Sequence, residues 1–500
     1  MFKLEIGSMP RPAGERALYD LLILAIVLVV SIPVFAYSAY SVVLLIGGLS
    51  YRPLTLARLS KADLPRLSVL LATYNEENVV GETLDSIGRL DYPSEKLQVI
   101  IADDSDDGTV RIVDERASLL GAKGIDVVVS RREERTGFKA SALNLASKRI
   151  SGDLVLLLDA DSRVTDSALD RALEALIGGS LSFVSFRVGH YNRELNLVTR
   201  AFALFQDTID GLQKMGATRL ALPYSLQGGF ALARIEALRD AGFWREGVLA
   251  EDADLSCRLF ASGSKGAYVS EAELVSEDPS TLRIWKRQAA RVGQGWAQCL
   301  RLDIGAIARS ERLSLSGKVG LLLVLLSPFA GLTWILVTLL SAIAIVAGLI
   351  DPGASVFVNP FYVALVSIPV VVFYISGANA LRIRRMLSAR NLVLLPVLSY
   401  MVSAMFTISA ISFVRGLVGA RVEFFRTPKR GNTGALAQDR QPQEGSGVRV
   451  AEGGLSVLAA VLSIPMFIRG QYLLGLALIG FGVVTLKSME LSNRSKSSAV

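Results

Sequence analysis

Two aspartates separated by one alanine close an apolar run at residues 155–164, VLLLDADSRV. Side chains alternate along an extended chain, so Asp159 and Asp161 leave the same face. A carboxylate pair of that kind can share one hard divalent cation, and such a cation suits a substrate diphosphate. The apolar run itself reads as a buried strand of a parallel sheet, whose carboxyl end opens on a ligand crevice. Two more polar clusters follow apolar runs in the same manner: Thr73-Tyr74-Asn75-Glu76 and Asp103-Asp104-Ser105. Taken singly, each is turn or helix-cap chemistry. Three acidic or amide-rich loops converging on one crevice favour a bound polar ligand with a cation.

The elements that must position these groups alternate. Strands are expected at 67–72, 97–102, 127–129 and 155–159, with helices across 80–87, 109–120 and 139–149. Alternation at this period implies a mostly parallel, doubly wound Rossmann-like α/β sheet with its ligands at the strand ends. A buried strand at 181–186, a long helical stretch at 194–215 and a Gly-Gly turn at Gly228 come next, and helical patterns are expected from there to about residue 315.

Outside this region the chain changes character. Half of its 500 residues are hydrophobic, mean hydropathy is +0.44, and the apolar residues are segregated. That describes a membrane protein carrying a soluble domain. Residues 17–50 are expected to cross the membrane once, or to fold as a short hairpin, with Pro33 as a kink. Residues 51–315 form the soluble domain, and 316–500 a helical membrane region interrupted by a flexible basic loop at 426–454. Arg52, Arg58, Lys61 and Arg66 place the soluble domain on the cytoplasmic side of the cell membrane. Apolar runs at 319–350, 356–377, 392–414 and 455–486 are candidate spans. Simple counting puts Arg426, Lys429 and Arg430 outside, against the positive-inside expectation, so one run re-enters, forms a hairpin or lies along the interface.

Composition removes several chemistries. The net charge of +7 is modest and sits beside apolar segments, marking topology rather than nucleic-acid contacts. Two cysteines, Cys257 and Cys299, give neither a disulfide framework nor a metal cluster. The single histidine, His190, excludes His-rich metal sites and Ser-His catalysis, and is taken as structural or solvated. Proton transfer therefore falls to carboxylates, lysine, tyrosine or cysteine.

In order, ATYNEE, DDSDDGT, GFKASALN, DADS and AEDADLSCRL resemble the motifs of family 2 glycosyltransferases over residues 67–296. The flanking apolar segments resemble the membrane-integrated branch: cellulose-synthase-like, hyaluronan-synthase-like and ceramide-glucosyltransferase-like enzymes. The resemblance implies a GT-A fold and a nucleotide-diphosphate-sugar donor, with UDP as the expected carrier. Thr73, Tyr74 and Glu76 would line the base and ribose, and Asp103 or Asp104 would hydrogen-bond the base. Lys139 would lie near the phosphates. Asp159 and Asp161 would serve Mg²⁺ or Mn²⁺, with Asp161 the direct ligand. Asp252, beside Glu251, would be the general base of an inverting displacement on a lipid or glycan acceptor at the membrane. Gln288-Ala-Ala-Arg291-Val292 matches the family's Gln-x-x-Arg-Trp motif except at Val292, where polymerising members stack the acceptor on tryptophan. Arg291 would contact the diphosphate. Gln227, Gly229, Glu251 and Gln288 would form the acceptor side. Thr427-x-Lys429 resembles the loop that closes over the donor in synthase-like members, or is a basic juxtamembrane loop. Competing readings are a processive synthase that also translocates its product, a nucleotide-sensing transporter, and a scaffold without catalysis.

Overall fold

A computed structural model describes residues 13–54, 59–347, 360–420, 429, 431, 446–468 and 472–494. Its centre is a seven-stranded sheet: β1 (Leu67–Thr73), β2 (Leu97–Asp103), β3 (Asp126–Ser130), β4 (Leu154–Asp159), β5 (Phe183–His190), β6 (Phe230–Arg234) and β7 (Gly266–Ser276). The strand order is β3-β2-β1-β4-β6-β5-β7. Strands β1 to β4 pair in parallel, β6 runs antiparallel to both β4 and β5, and β7 returns parallel to β5. The sheet is mostly parallel, as expected, with β6 the one reversed strand.

Helices α1 (Ala13–Leu49), α2 (Val80–Ile87), α3 (Thr109–Ala122), α4 (Phe138–Ser147), α5 (Asp166–Gly178), α6 (Leu197–Ile209), α7 (Glu251–Ala261) and α8 (Leu282–Arg309) accompany the sheet. After them come α9 (Leu315–Val346), α10 (Pro360–Ile383), α11 (Leu394–Leu417), α12 (Ser446–Ile468) and α13 (Tyr472–Arg494).

The central strands are mainly apolar because both faces are covered, with buried Ser68 and Gln98 bonded to each other at 2.7 Å. Val69, Leu71, Val99, Ile101, Leu156 and Leu158 share one core. Leu70, Ile100, Val155 and Leu157 point into the other, which includes Tyr40 and Leu44 of α1. Each such side chain contributes about 1.5–3 kcal/mol on full burial. That rigid platform fixes where the strand-end loops emerge.

Strand β7 corrects the helical expectation for this part of the chain. Its register jumps from Phe186↔Val269 to Arg187↔Glu273, so residues 270–272 bulge and the apolar alternation breaks. Residues 446–454, expected as flexible loop, begin helix α12. The 455–486 run divides between α12 and α13, and the 319–350 run is helical as α9 to Val346.

Among the described residues, Val29–Leu49 and Ala389–Leu417 are long and apolar enough to cross a membrane, and shorter apolar helices accompany them. Helix α1 ends against backbone: a Cβ on Gly48 would stand 2.5 Å from the Gly211 carbonyl oxygen. Only glycine permits that approach. Gly211 belongs to a π-helical segment, Asp210–Met215, that continues α6, and such segments recur at functional sites. Helix α11 packs along α8 just as closely, with the Gly293 Cβ position 2.7 Å from the Ser409 carbonyl.

Candidate active site

The strand ends of β1, β4, β5 and β7 and the starts of α4, α7 and α8 enclose one cavity of about 280 Å³. It brings together Thr73, Tyr74, Glu76, Asp104, Lys139, Asp159, Asp161, Gln227, Glu251, Asp252, Gln288 and Arg291. Asp103 and Gly229 are not among its lining residues.

The β1 loop is held by a left-handed residue. Asn75 has φ +56°, a region asparagine tolerates better than most. Its side chain donates to Asp106 at 2.8 Å and accepts the Asp106 amide at 3.0 Å. This turns Tyr74 and Glu76 to the cavity, and the Arg135 guanidinium lies 3.5 Å over the Tyr74 ring. The two β2 aspartates separate. Asp104 pairs through both oxygens with Arg132, at 2.9 Å for the Nε bond. Asp103 is buried behind it, 2.9 Å from Arg131, and caps the Ser105 amide.

Lys139, in the first turn of α4, lies 2.6 Å from Asp159 and 3.1 Å from Glu251. Burial works against its charge, but Asp159 and then Glu251 hold its pKa above the ordinary lysine value. Burial likewise opposes the Glu251 charge, yet Lys139 and Arg291 keep that carboxyl below its usual range. Its neighbour behaves oppositely. Burial, then the Glu251 charge, push Asp252 up to about 6. The Gly228 and Ala253 amides, at 3.0 and 2.8 Å, hold its two oxygens in place. Gly229 serves the site from behind: a Cβ there would lie 2.4 Å from the Asp159 amide nitrogen.

Asp161 accepts three bonds on Oδ2, from Ser276 Oγ at 2.7 Å, the Glu277 amide at 3.2 Å and Lys429 Nζ at 2.7 Å. Burial raises its pKa, but the Lys429 charge outweighs that and lowers it. Lys429 also donates to the Glu277 carbonyl at 2.8 Å, and the Gly431 amide donates to Glu277 Oε2 at 3.0 Å. Lys429 and Gly431, after α11, thus reach this cavity on the catalytic domain, as a re-entering, hairpin or interfacial run would allow and simple counting of spans would not. Arg426, Thr427 and Arg430 lie outside the described residues.

The cavity fits a substrate-borne cation better than a protein-only cage. Among the described residues no three His, Cys, Asp or Glu side chains cluster to hold a metal. Asp159 and Asp161 still offer the hard oxygen donors that Mg²⁺ or Mn²⁺ takes together with phosphate oxygens and water.

Several cavity-lining residues escaped the sequence reading, among them Arg135, Phe202 and Gln206. Ser276 at the end of β7, with Glu277 and Asp278 just after it, also lines the cavity; an alternating run closing on Ser-Glu-Asp-Pro was the available signal. His190, taken as structural or solvated, is buried and pairs with Asp278 at 2.7 Å. Trp296 is not among the cavity-lining residues and packs at the junction of two apolar clusters.

Residues 65–295 match the model of a family described as glycosyltransferase like family 2. Glucomannan 4-beta-mannosyltransferase 2 of Arabidopsis thaliana is 29% identical over 269 residues, 52% of this chain and 50% of the relative. Glucomannan 4-beta-mannosyltransferase 1 of Oryza sativa subsp. japonica is 26% identical over 266 residues, 52% of this chain and 51% of the relative. The chain spans about half the length of the curated relatives it matches. Among solved structures, the mannosyltransferase PcManGT from Pyrobaculum calidifontis, in complex with GDP-Man and Mn²⁺, aligns at TM-score 0.49 and 19% identity, over 81% of this chain and 100% of that one.

Proposed function

We propose, from the match of residues 65–295 to the glycosyltransferase like family 2 model, that the protein is a membrane-bound, inverting hexosyltransferase. It moves a sugar from a nucleotide-diphosphate donor to a glycan acceptor. Mannose is the first candidate sugar, because the curated relatives are named for mannosyl transfer. UDP and GDP are the carriers to compare. Helix α1 and the apolar helices after α8 hold the catalytic domain, residues 51–315, at the cytoplasmic face of the membrane.

The observation that best supports this reading is Asp252. A half-buried carboxyl pushed up to about 6 is ionised at neutral pH and basic enough to take a proton from an acceptor hydroxyl. That oxygen attacks the anomeric carbon in one displacement, which inverts the centre. Lys139 and Arg291, both in the same cavity, offset the negative charge that builds on the departing diphosphate. Asp159 and Asp161 are the residues to hold Mg²⁺ or Mn²⁺, which when bound neutralises the same diphosphate charge. Thr73, Tyr74, Glu76 and Asp104 take the nucleoside end. A purely sensing domain has no use for a base in the position of Asp252.

The test is transfer from labelled UDP- and GDP-sugars by membranes containing the protein, beside Asp252→Asn. Asp252-dependent label in a glycan supports the reading, while label extracted into organic solvent assigns a lipid acceptor instead. No transfer from any donor by folded protein refutes it.

A further inference from the structure

A buried ion pair that the donor chemistry leaves unused sits against two of the cavity's lining residues, Gln206 and Gln227. Lys214 and Asp210 are 4% and 3% exposed, and Lys214 Nζ lies 2.9 Å from Asp210 Oδ1. Gln206 Nε2 donates to the same oxygen at 3.0 Å, and the Tyr268 hydroxyl donates to Oδ2 at 3.3 Å. The carboxylate is thus fixed at both oxygens. A buried ion pair adds little net stability, because desolvation offsets the attraction. What this one supplies is an ammonium held at one point.

That ammonium is aimed at the turn before β6, where it donates to Gln227 Oε1. Lysine carries donors only, so Gln227 meets it with its carbonyl end and keeps its amide nitrogen for the cavity. The same turn is tied down elsewhere. Ser256 Oγ accepts the Leu226 amide at 2.8 Å, Asp252 Oδ2 accepts the Gly228 amide at 3.0 Å, and the Phe230 amide closes on the Gln227 carbonyl at 3.0 Å. Ser256 and Asp252 both belong to α7. Lys214 adds a hold from a different element.

The backbone shows how the lysine reaches there. Asp210 and Lys214 lie in the π-helical segment Asp210–Met215. One residue more per turn rotates whatever follows by about 100°, which re-aims Lys214 relative to α6. The segment is braced on α1 by backbone contacts. A Cβ on Gly47 would stand 2.7 Å from the carbonyl oxygen of Gly216, the residue after the segment, and one on Gly216 would meet the Leu44 carbonyl.

From this we infer that Lys214 is a positioning residue for the general base: through Gln227 it fixes the turn at 226–230, and with it the Gly228 amide that holds Asp252. The inference rests on the glycosyltransferase reading and adds to it a dependence of the base on the helix that braces the π segment. Asp252 also feels Glu251 on its own helix, Arg291 from α8 and Lys139 from α4. Lys214 acts on it by way of the Gly228 bond, not as one more charge.

The test uses the full chain in lipid nanodiscs. Lys214→Met alone strands the Asp210 charge, so the double variant Asp210→Asn/Lys214→Met removes both. Its kcat is expected to fall about tenfold, the weight of one hydrogen bond to a charged group, with donor KM and Tm unchanged, and Lys214→Arg keeps most of the rate. On a Gln227→Leu background the same two changes cost nothing further. With ¹⁵N-glycine labelling, the Gly228 amide signal, assigned by its loss in Gly228→Ala, should step as Asp252 titrates near pH 6 and lose that step in the double variant. Independent losses on the Gln227→Leu background, rates that merely follow Tm, or a Gly228 step that survives the double variant overturn the inference. A Lys214-dependent step in protein that transfers sugar from no donor leaves the positioning standing and sinks the enzyme reading. Transfer by the double variant at the wild-type rate does the reverse.

Discussion

The Gly228 amide donates to Asp252 Oδ2 at 3.0 Å, tying the turn before β6 to the first turn of α7. That bond favours the ionised carboxylate, yet burial and Glu251 prevail and push Asp252 up to about 6. The folded pKa lies above the ordinary aspartate value near 4, so the ionised base is lost as pH falls through 6. We expect kcat/KM to be flat above that point and to drop about tenfold per pH unit below it. A pH–rate profile whose acid limb bends near 4 contradicts the assignment. Asp252→Asn should cost about 10²–10⁴-fold in turnover, the usual weight of a general base, while donor binding persists.

Lys139 bridges the metal-side Asp159 and the base-side Glu251. Lys139→Met removes a cation from the leaving-group end and leaves two carboxylates facing each other. Turnover is expected to fall by about 10²–10³-fold, as for other lost electrostatic contacts to developing charge. A kinetic comparison showing only a raised donor KM argues that Lys139 binds the ground state alone.

Lys429 Nζ lies 2.7 Å from Asp161, where a divalent cation would also seek its oxygen. Lys429→Met should therefore strengthen Mn²⁺ binding by about tenfold in the absence of donor, a modest electrostatic coupling. Calorimetry on the purified protein reads this directly. Equal affinities in the two proteins mean that the lysine and the ion do not compete.

Gly229→Ala brings a Cβ against the backbone of Asp159, which cannot yield as a flexible side chain does. The overpacking should cost about 1–3 kcal/mol and shift the carboxylate as well. Thermal unfolding and transfer rate should both decline; a variant with wild-type Tm shows that β4 has room to move.

His190 carries a raised pKa: burial lowers it, but Asp207 and Asp278 more than compensate. Its stabilising contribution is complete below the unfolded value of about 6.5 and fades as pH rises through the higher folded value. His190→Gln should lower stability on the order of 3 kcal/mol at pH 6, as expected for breaking a buried pair. The gap should narrow toward pH 9. A pH-independent difference in denaturant midpoint shows that the ring is neutral throughout.

What the sequence disclosed follows from burial. Strands β1, β2 and β4 are covered on both faces, so Val69 to Ala72 and Val155 to Leu158 read as uninterrupted apolar runs. The polar ends of β1 and β4 were conspicuous against them. Strand β7 hid because its bulge at 270–272 breaks the alternation, and β6 because five residues behind a Gly-Gly turn carry little periodicity. Asp278 and His190 stayed obscure for another reason. Their pairing joins residues 88 apart and follows from β5 lying beside β7, a neighbour relation no local pattern encodes. That Asp104 lines the cavity while Asp103 does not goes with their separate partners, Arg132 and Arg131, which sit beyond β3.

The contact between Lys429 and Asp161 spans 268 residues of chain. At a synthesis rate of about 5–20 residues per second, the aspartate leaves the ribosome on the order of 15–50 s before its lysine does. Throughout that interval the nascent domain carries a buried anion without its native counter-ion. A divalent cation present during translation then meets Asp161 before Lys429 does.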